Sequence, residues 1–595
     1  MNINIDKPNG PDLRSAGLLF PAFSMRRDGD LGIGDTLAVI QCLDWLKPSG
    51  VGFLQLLPIN VSGSDNSPYS AISSIALDFI YLDMNQIPEL TQDDVSQIRT
   101  DHAGDWLTGD SVDYAKVREV KSILLRMAYD RYQQNDEKTK QSEEFEAFCR
   151  EEADWLVPYC KYRWLMEVAG GSEDWVSWPK NINTPEKALA YEREQSKLTD
   201  GGPGAVQEYY AWVQWHAFTQ WRKVRNHAND LGMKLMGDIP IGVSNSSADV
   251  FFEPQWFMKD WFGGSPPETV FKDDAFACKW GQNWGVPLYD WDRLAEDDYA
   301  WWKRRIAKLT DIFHIFRIDH ILGFYRIYAF PWNPIRNAEF LPLNEGEVKE
   351  ITGGDLPHFY PRADDTMKHK AQNLMAGDEY LKAVLAAAEG YEVVGEDLGC
   401  VPDYVRPHLM ELGVAGFKMC HWETNLWGDA IQPSEHPECA FATYATHDHP
   451  PIKSMWDDLR TNVANGCQGS GDGLKIISQY AGLPVTDAHK YSPFNSVVKW
   501  ALLENLMKSE ARYAALMITD LLDSDIRINT PGTVGPQNWT YRVDWAFQSV
   551  PKFAEKELTK LSVYIDYNNR ASVETSAKKG AFSSLSKSSN TSIVR

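Results

Sequence analysis

Several features that mark other protein classes are missing from this 595-residue sequence. No run of about 18 apolar residues offers a membrane span, and the first residues lack the basic and apolar segments of a signal peptide. Basic residues number 59 against 83 acidic ones, and the resulting net charge of −24 disfavours nucleic acids and anionic membranes as partners. We therefore expect a cytoplasmic protein that binds neither of them.

Cysteine and glycine patterns exclude further classes. The eight cysteines form no Cys-x-x-Cys pair and have no histidines at zinc-ligand spacing, which predicts reduced thiols rather than a disulfide or metal framework. The glycine-rich loop 26–35 does not have the spacing of a dinucleotide-binding motif. Aromatic residues are abundant, with 23 tryptophans. Sugar-binding sites use such rings, although most of these tryptophans are expected in the core.

Buried-strand patterns recur along the chain and alternate with helical patterns. This alternation favours a parallel sheet, and eight strands favour an α/β fold of the (β/α)8 TIM-barrel type. The predicted strands are Gly17–Phe20, Val51–Leu57, Lys234–Ile241, a strand ending at Asp319, Val393–Glu396, Gly416–Met419, Phe441–Thr446 and Leu516–Leu522.

The remaining segments complete the expected organisation, in which residues 1–570 form a single catalytic domain. Residues 84–205 are rich in charge and helical pattern, and predict a helical insertion. Helix Glu208–Leu231 places four aromatic residues on one face, a pattern typical of core packing. Residues 251–295 predict a long, irregular, aromatic-rich loop, and a loop of this length usually serves a function. Residues 571–595 predict a flexible tail rich in serine and lysine.

One short stretch, Ile315-Phe316-Arg317-Ile318-Asp319-His320, predicts a buried strand that ends in charged side chains. Side chains two apart on a strand share a face, so Arg317 and Asp319 should point the same way. A guanidinium beside a carboxylate favours its ionised form, which is the form that a nucleophile needs. A structural ion pair would give the same local pattern.

Asp319, Glu396 and Asp448 all follow predicted strands, and in a barrel these ends meet at one mouth. Retaining cleavage of a glycosidic bond needs an ionised nucleophile and a protonated carboxyl, about 5 to 5.5 Å apart. Asp319 suits the first role. Glu396 suits the second role, because Val393 and Val394 before it predict apolar surroundings, and burial raises the pKa of a carboxyl. The pattern alone does not choose between Glu396 and Asp397.

Seven stretches carry a more specific signal, in this order between about residues 14 and 545: Asn66-Ser67-Pro68-Tyr69, Gly237-Asp238-Ile239-Pro240, residues 281–289 (GQNWGVPLY), Phe316-Arg317-Ile318-Asp319-His320, Gly395-Glu396-Asp397-Leu398-Gly399, Thr446-His447-Asp448 and residues 527–533 (RINTPGT). As a set they resemble the 4-α-glucanotransferases of the amylomaltase, or disproportionating-enzyme, family (glycoside hydrolase family 77), relatives of the α-amylases.

The resemblance implies a (β/α)8 barrel with helical insertions, without a C-terminal β-sandwich domain and without a metal or organic cofactor. It implies transfer of α-1,4-glucan segments between malto-oligosaccharides, glucans and glucose through a covalent glucosyl-enzyme. Asp319 would be the nucleophile, Glu396 the acid and base, and Asp448 the transition-state stabiliser. The implied sugar-binding residues are Ser67, Tyr69, Asp238, Gln282, Trp284, Arg317, His320, His447 and Asn529.

The chain departs from the family in two ways that concern the cleft. After Asp448 the family usually continues with Asn, whereas this chain has His449-Pro450-Pro451. Residues 272–279 are longer than usual in the loop that overhangs the acceptor side. The competing hypotheses are a plain α-glucan hydrolase with the same carboxylates and a non-catalytic glucan-binding protein. The sequence leaves the oligomeric state, the preferred donor and acceptor, and the formation of cyclic glucans open.

Overall fold

The computed structural model describes residues 14–134, 140–198, 202–268, 274–466, 470–484, 493–533 and 535–571. The strands within this part of the chain are β1 (Ser15–Leu19), β2 (Phe53–Gln55), β3 (Lys234–Ile239), β4 (Phe257–Ser265), β5 (Gln282–Tyr289), β6 (Ile315–Ile318), β7 (Ile327–Phe330), β8 (His358–Tyr360), β9 (Glu392–Gly395), β10 (Ala415–Met419), β11 (Ala440–Thr443) and β12 (Tyr513–Met517). Eight of them close a parallel barrel in the order β1-β2-β3-β6-β9-β10-β11-β12. The predicted (β/α)8 barrel is confirmed.

Helices surround the barrel and build the regions that extend from it. The longer ones are Thr36–Leu46, Gln92–Asp101, Tyr114–Gln133, Lys140–Glu151, Ala153–Val168, Pro185–Leu198, Gly202–Asp230, Ala300–Thr310, Glu345–Thr352, Met367–Ala387, Val405–Glu411, Ile452–Ala464, Ser470–Tyr480, Ser496–Lys508 and Lys552–Tyr567. Short helices lie at Asp105–Thr108, Ala248–Phe252, Ala275–Lys279, Trp291–Glu296, Asn337–Phe340 and Ile518–Leu521. Within the described residues, no helix is both long and apolar enough to cross a membrane.

Apolar side chains fill the barrel and leave no room for a side chain at one position of β1. Phe53, Phe417, Phe441 and Tyr513 belong to the buried cluster that occupies the interior. A Cβ atom on Gly17 would lie 2.1 Å from the ring of Phe53, so glycine is required there. Dense packing of this kind holds the strand ends in fixed positions, which a catalytic site needs.

The second sheet corrects one expectation. Residues 251–295 were expected to be irregular, but β4 and β5 form an antiparallel hairpin within a four-stranded sheet of order β5-β4-β7-β8. Register shifts at Gly263 and Gly264 interrupt the strand alternation, and this interruption hides the hairpin in the sequence. Residues 269–273 at its turn lie outside the described residues.

The eighth barrel strand was predicted too late in the chain. It runs over Tyr513–Met517, and the predicted continuation is instead a helical turn, Ile518–Leu521. The carboxylate of Asp520 accepts the backbone N–H groups of Met517 and Ile452, which stabilises the turn. Both segments are fully buried, and hydrophobicity does not distinguish a buried strand from a buried helical turn.

The predicted aromatic stripe is confirmed as core. Tyr209, Trp212, Trp215 and Phe218 are all buried on helix Gly202–Asp230. They pack against helices Tyr114–Gln133, Lys140–Glu151 and Ala153–Val168 of the segment that precedes this helix, for instance through Tyr129, Phe145 and Trp155. The predicted tail, apart from Ala571, lies outside the described residues.

Candidate functional site

Two carboxylates leave the barrel side by side at its carboxyl-terminal face. Ile318 of β6 and Gly395 of β9 are paired in register, so Asp319 and Glu396 follow at the same level on neighbouring strands. The ladder continues past both strand ends, since the Glu396 N–H donates to the Ile318 carbonyl at 2.9 Å. Neighbouring strands lie about 4.8 Å apart, so the two side chains start from adjacent positions at the mouth.

Arg317 connects Asp319 to the strand on its other side. One guanidinium nitrogen, Nη1, lies 2.8 and 2.6 Å from the two carboxylate oxygens of Asp238, and Nη2 lies 2.7 Å from Asp319 Oδ1. Arg317 and Asp238 are buried, whereas the Asp319 side chain is 25% exposed. Although burial opposes it, the two carboxylates hold the pKa of Arg317 well above its usual range. A permanent positive charge therefore faces Asp319.

Glu396 has a different environment. It is buried, and burial raises the pKa of its carboxyl to about 8; Arg317 opposes this shift and the charge of Asp319 adds to it. Its Oε2 accepts the His320 N–H at 2.8 Å and its Oε1 accepts the Leu398 N–H at 3.0 Å. Such a carboxyl is protonated at neutral pH while still reaching the mouth of the barrel.

The structure separates Glu396 from its neighbour Asp397, which the local sequence pattern alone did not do. The Asp397 carboxylate accepts the Phe417 N–H at 2.6 Å and Arg406 Nε at 2.9 Å. Its side chain is 1% exposed. Asp397 therefore joins two segments of the barrel wall, and Glu396 is the carboxyl that opens into the cavity.

The third carboxylate, Asp448, lies in the segment that follows β11. Its Oδ1 accepts the side-chain amide of Asn529 at 2.6 Å, and His447 Nε2 lies 3.3 Å from its Oδ2. Burial works against ionisation, but His447 and the Asn529 amide hold the pKa of Asp448 below its ordinary value. Arg527 also donates to its backbone carbonyl. Asp448 is thus an ionised carboxylate in a fixed orientation.

Aromatic rings form one wall beside these carboxylates. Tyr69 stacks on His447 with ring centroids 5.1 Å apart, and Trp539 lies within 5.7 Å of both rings. The Tyr69 hydroxyl donates to Asp238 at 2.7 Å, which links this wall to the Arg317 ion pair. Ser67 supports the same segment, because its hydroxyl accepts the Tyr69 N–H at 3.3 Å.

A second part of the lining is formed by His320 and the second sheet. Burial lowers the pKa of His320 to about 4, so its ring is neutral at pH 7. Trp284 meets this ring edge-on with centroids 4.9 Å apart, and its indole N–H donates to Gln282 at 3.2 Å. Trp284 is 37% exposed, which leaves part of its ring available for contact with a ligand.

All of these groups surround one cavity of about 870 Å³. Ten of the predicted site residues line it: Ser67, Tyr69, Gln282, Trp284, Arg317, Asp319, His320, Glu396, Asp448 and Asn529. The other two, Asp238 and His447, are buried directly behind this lining and orient Arg317 and Asp448.

Two segments of the cavity lining meet at Gly532. A Cβ atom on Gly532 would lie 3.5 Å from Asp274 Oδ2 and 3.6 Å from Gln282 Nε2. Helix Ala275–Lys279 and β5 therefore reach the loop that follows β12.

Several lining residues were not identified from the sequence. They are Arg326, Tyr328, Phe359, Arg406, Trp422 and Trp539, among others. Each lies in a segment with no motif of its own, and only their common position at the barrel mouth connects them. The high tryptophan content was the available signal, but it does not separate Trp422 and Trp539 from the many buried tryptophans.

His449, at which the chain departs from the family pattern after Asp448, also faces the cleft. His449 lines the cavity and meets Trp422 edge-on, with centroids 5.1 Å apart. Its Nδ1 accepts the Thr446 N–H at 3.2 Å, and burial lowers its pKa to about 4. The histidine thus closes the turn that carries Asp448 and adds a ring to the lining.

Comparison with known proteins gives one consistent result. The profile of glycoside hydrolase family 77, described as 4-alpha-glucanotransferase, matches residues 20–548. A 4-alpha-glucanotransferase of Chlamydia caviae is 29% identical over 535 residues, which cover 89% of this chain and 90% of that protein. The chloroplastic/amyloplastic enzyme of Solanum tuberosum is 27% identical over 574 residues, 94% of this chain and 88% of the relative.

Solved structures support the fold. Amylomaltase from Streptococcus agalactiae, in complex with acarbose, superposes with a TM-score of 0.72 and 22% identity over 94% of this chain and all of that one. Amylomaltase from Corynebacterium glutamicum gives a TM-score of 0.71 and 21% identity, over 92% of this chain and 75% of that one.

Proposed function

Since this chain belongs to the 4-alpha-glucanotransferase family, we propose that its cleft transfers α-1,4-glucan segments between malto-oligosaccharides, glucans and glucose by retaining double displacement. One observation carries the proposal. Asp319, paired with Arg317, and Glu396, whose buried carboxyl has a pKa of about 8, leave neighbouring strands at the same level and line one cavity. This arrangement supplies a nucleophile and a proton donor to the same glycosidic bond.

In the first step, Asp319 Oδ attacks the anomeric carbon of the donor while the bond from that carbon to the departing oxygen breaks. Glu396 gives its proton to that oxygen, and the shortened glucan leaves with a free 4-hydroxyl. The sugar remains bound to Asp319 as a glucosyl ester. Glu396 suits this step because its raised pKa keeps it protonated at neutral pH.

In the second step, the ionised Glu396 takes the proton of an acceptor 4-hydroxyl, and that oxygen attacks the anomeric carbon. The ester bond to Asp319 breaks, so two inversions give net retention. Asp448 stabilises the positive charge that develops on the sugar ring in both steps, since its own pKa is held low. Arg317, His320 and Tyr69, which stacks on the buried His447, position the sugar at the reacting centre.

Transfer exceeds hydrolysis only when the acceptor outcompetes water for the glucosyl-enzyme. Gly532 and Gln282, which both line the cavity, lie close to each other, and we infer that this contact limits the access of water to the glucosyl-enzyme. This feature favours the transferase over a plain α-glucan hydrolase. The same proposal includes one catalytic domain, residues 1–570. Within it, residues 84–205 form a helical insertion and residues 251–295 form an active-site region. The protein that carries this domain is cytoplasmic.

Incubation with maltotriose tests the reaction. We expect glucose together with a ladder of longer oligosaccharides, because one maltotriose donates a segment to another. Products shorter than maltotriose alone would identify a hydrolase. Asp319→Asn should remove both activities, and unaltered carbohydrate processing by that variant would contradict the proposed nucleophile.

A second experiment separates the two carboxyl roles. Glu396→Gln should lower turnover of maltotriose by about 10² to 10⁴-fold, the usual contribution of a general acid and base. An α-glucosyl fluoride does not require protonation to leave, so the same variant should still form the ester. Mass spectrometry of a peptide that contains Asp319 would detect it, and a label on another residue would refute the assignment.

A further inference from the structure

An exposed hairpin lies at the edge of the cleft, directly after β10. Thr424 and Ala430 form an antiparallel bridge, and the chain turns back between them. Leu426 at the tip is 98% exposed and Trp427 is 83% exposed. The two side chains are adjacent in the chain and lie beside a cleft, and exposed apolar patches are typical of binding surfaces.

Hydrogen bonds fix the shape of this tip. The side-chain oxygen of Asn425 accepts the N–H groups of Trp427 at 2.9 Å and Asp429 at 3.1 Å. The Asn425 N–H donates to the Asp429 carbonyl at 2.9 Å, and Gly428 adopts a positive φ of 75° that permits the tight turn. These hydrogen bonds fix the backbone of the turn that presents Trp427 to solvent.

The hairpin is also anchored to the protein. Asp429 Oδ1 accepts the Gln479 side-chain amide at 3.0 Å and lies 2.8 Å from Lys475 Nζ, both on helix Ser470–Tyr480. The Gln479 oxygen in turn accepts the Ala430 N–H at 3.2 Å. A rigid, anchored platform loses little conformational entropy when a ligand binds to it.

The surface of the hairpin is continuous with the cleft. The cavity that holds Asp319 and Glu396 is also lined by the residues that lead into the hairpin, Trp422, Glu423 and Thr424. Trp422 is 49% exposed, so this segment presents aromatic surface both in the cavity and, five residues later in the chain, at Trp427. A polymer that leaves the cleft on this side would pass along the hairpin.

We propose that the tip of this hairpin, Leu426 and Trp427, is an outer binding surface for a long α-1,4-glucan that extends from the cleft. The proposal rests on the proposed function. A sugar ring offers an apolar face to an indole and hydroxyl groups to the polar atoms beside it. Glucan is uncharged, so the net charge of −24 does not repel it, whereas it disfavours an anionic membrane or nucleic acid on this surface.

This surface would favour long chains over short ones. Once a long glucan is bound in the cleft, its contact with the tip is intramolecular, so this second contact raises the affinity for the whole chain. Maltotriose occupies the cleft alone and does not gain this affinity. The hairpin would therefore set the preferred chain length of donor and acceptor.

Trp427→Ala tests the proposal through the ratio of kcat/KM for amylose to kcat/KM for maltotriose. We expect this ratio to fall by about 5- to 30-fold, the range for truncation of a tryptophan anchor. Trp427→Phe should restore most of it. Tyr567→Ala is the matched control, since Tyr567 is an aromatic residue 77% exposed at the end of helix Lys552–Tyr567.

An unchanged ratio in Trp427→Ala, or an equal fall in Tyr567→Ala, would overturn the proposal. So would sedimentation showing that the wild-type protein is a dimer and Trp427→Ala a monomer, because a second copy would then cover the tip. Amylose binding is measured separately in Asp319→Asn with and without Trp427→Ala. This comparison still reports on the surface if the wild-type protein fails to transfer sugars.

Discussion

The backbone N–H of His320 donates a hydrogen bond of 2.8 Å to the Glu396 carboxyl. His320 follows Asp319 directly, so this bond joins the two carboxylate-bearing strand ends to each other. The chain reaches this position through a left-handed conformation at His320, with φ 42° and ψ 53°. The geometry of the proposed acid thus depends on the backbone that carries the proposed nucleophile.

This conformation predicts an unusual order of stability at position 320. A residue with a Cβ pays about 1 to 2 kcal/mol in the left-handed region, whereas glycine does not. His320→Ala and His320→Gly both lose the ring contact with Trp284, yet we expect His320→Gly to be the more stable by roughly 1 kcal/mol in urea unfolding. A lower stability of His320→Gly would show that the strain is unimportant.

The raised pKa of Glu396 predicts the alkaline limb of the activity profile. The acid must be protonated in the first step, so kcat/KM for maltotriose should fall as the pH rises through about 8. With an α-glucosyl fluoride donor, which leaves without protonation, this limb should disappear from the first step. If the limb is the same for both donors, Glu396 is not the proton donor.

The same carboxyl should make folding less stable as the pH rises from about 4.5 to about 8. Its folded pKa of about 8 lies above the ordinary value of 4.5, so its contribution to stability is complete below 4.5 and is lost as the pH rises towards 8. Glu396→Gln removes this titration. The free energy of unfolding of the variant should therefore change less between pH 5 and about 8 than that of the wild-type protein, and parallel curves would contradict the assignment.

Removal of Arg317 should be costly. Arg317→Leu leaves Asp238 buried without its partner, and loss of one member of a buried pair costs about 3 to 5 kcal/mol. Arg336→Leu is the control, because Arg336 pairs with Glu339 at the surface, where such pairs contribute about 0 to 1 kcal/mol. If the two variants lose similar amounts of unfolding free energy in urea, the buried Arg317–Asp238 pair contributes no more to stability than the surface pair.

The overhanging loop should control the fate of the glucosyl-enzyme. Deletion of residues 272–279 removes Asp274, whose carboxylate lies near Gly532 of the cavity lining. We expect the ratio of hydrolysis to transfer on maltotriose to rise, because water gains access to the ester. Total maltotriose cleavage serves as the control for the first step, and an unchanged ratio would count against the loop.

His449 provides a test of the departure from the family. His449→Ala leaves the Thr446 N–H without its acceptor, at a cost of about 1 to 3 kcal/mol. His449→Asn supplies an oxygen at this position and should lose less, while both variants lose the ring that meets Trp422. We expect KM for glucose as acceptor to change in both. Equal stabilities of the two variants would exclude the hydrogen bond as the reason for a polar residue here.

The three carboxylates of the site could be predicted from the sequence because they follow strands, whereas most of the sugar-binding residues were implied only by the family resemblance. A buried apolar run that ends in Asp319 or Glu396 is visible locally, and parallel strands carry their ends to the same face of a barrel. The stripe of Trp212 and its neighbours was predictable for a similar reason, since a helix repeats every 3.6 residues. These features depend on residues that are close in the chain.

What the sequence determined by itself was therefore the barrel, the strand-end carboxylates and the buried helical stripe, because local periodicity encodes each of them. Only the tertiary structure decided that the Glu396 side chain rather than that of Asp397 faces the cavity, that β4 and β5 form a sheet, and that Trp539 lies beside Tyr69. Each of these depends on contacts between segments far apart in the chain. Such contacts are set by packing in three dimensions, which no local pattern records.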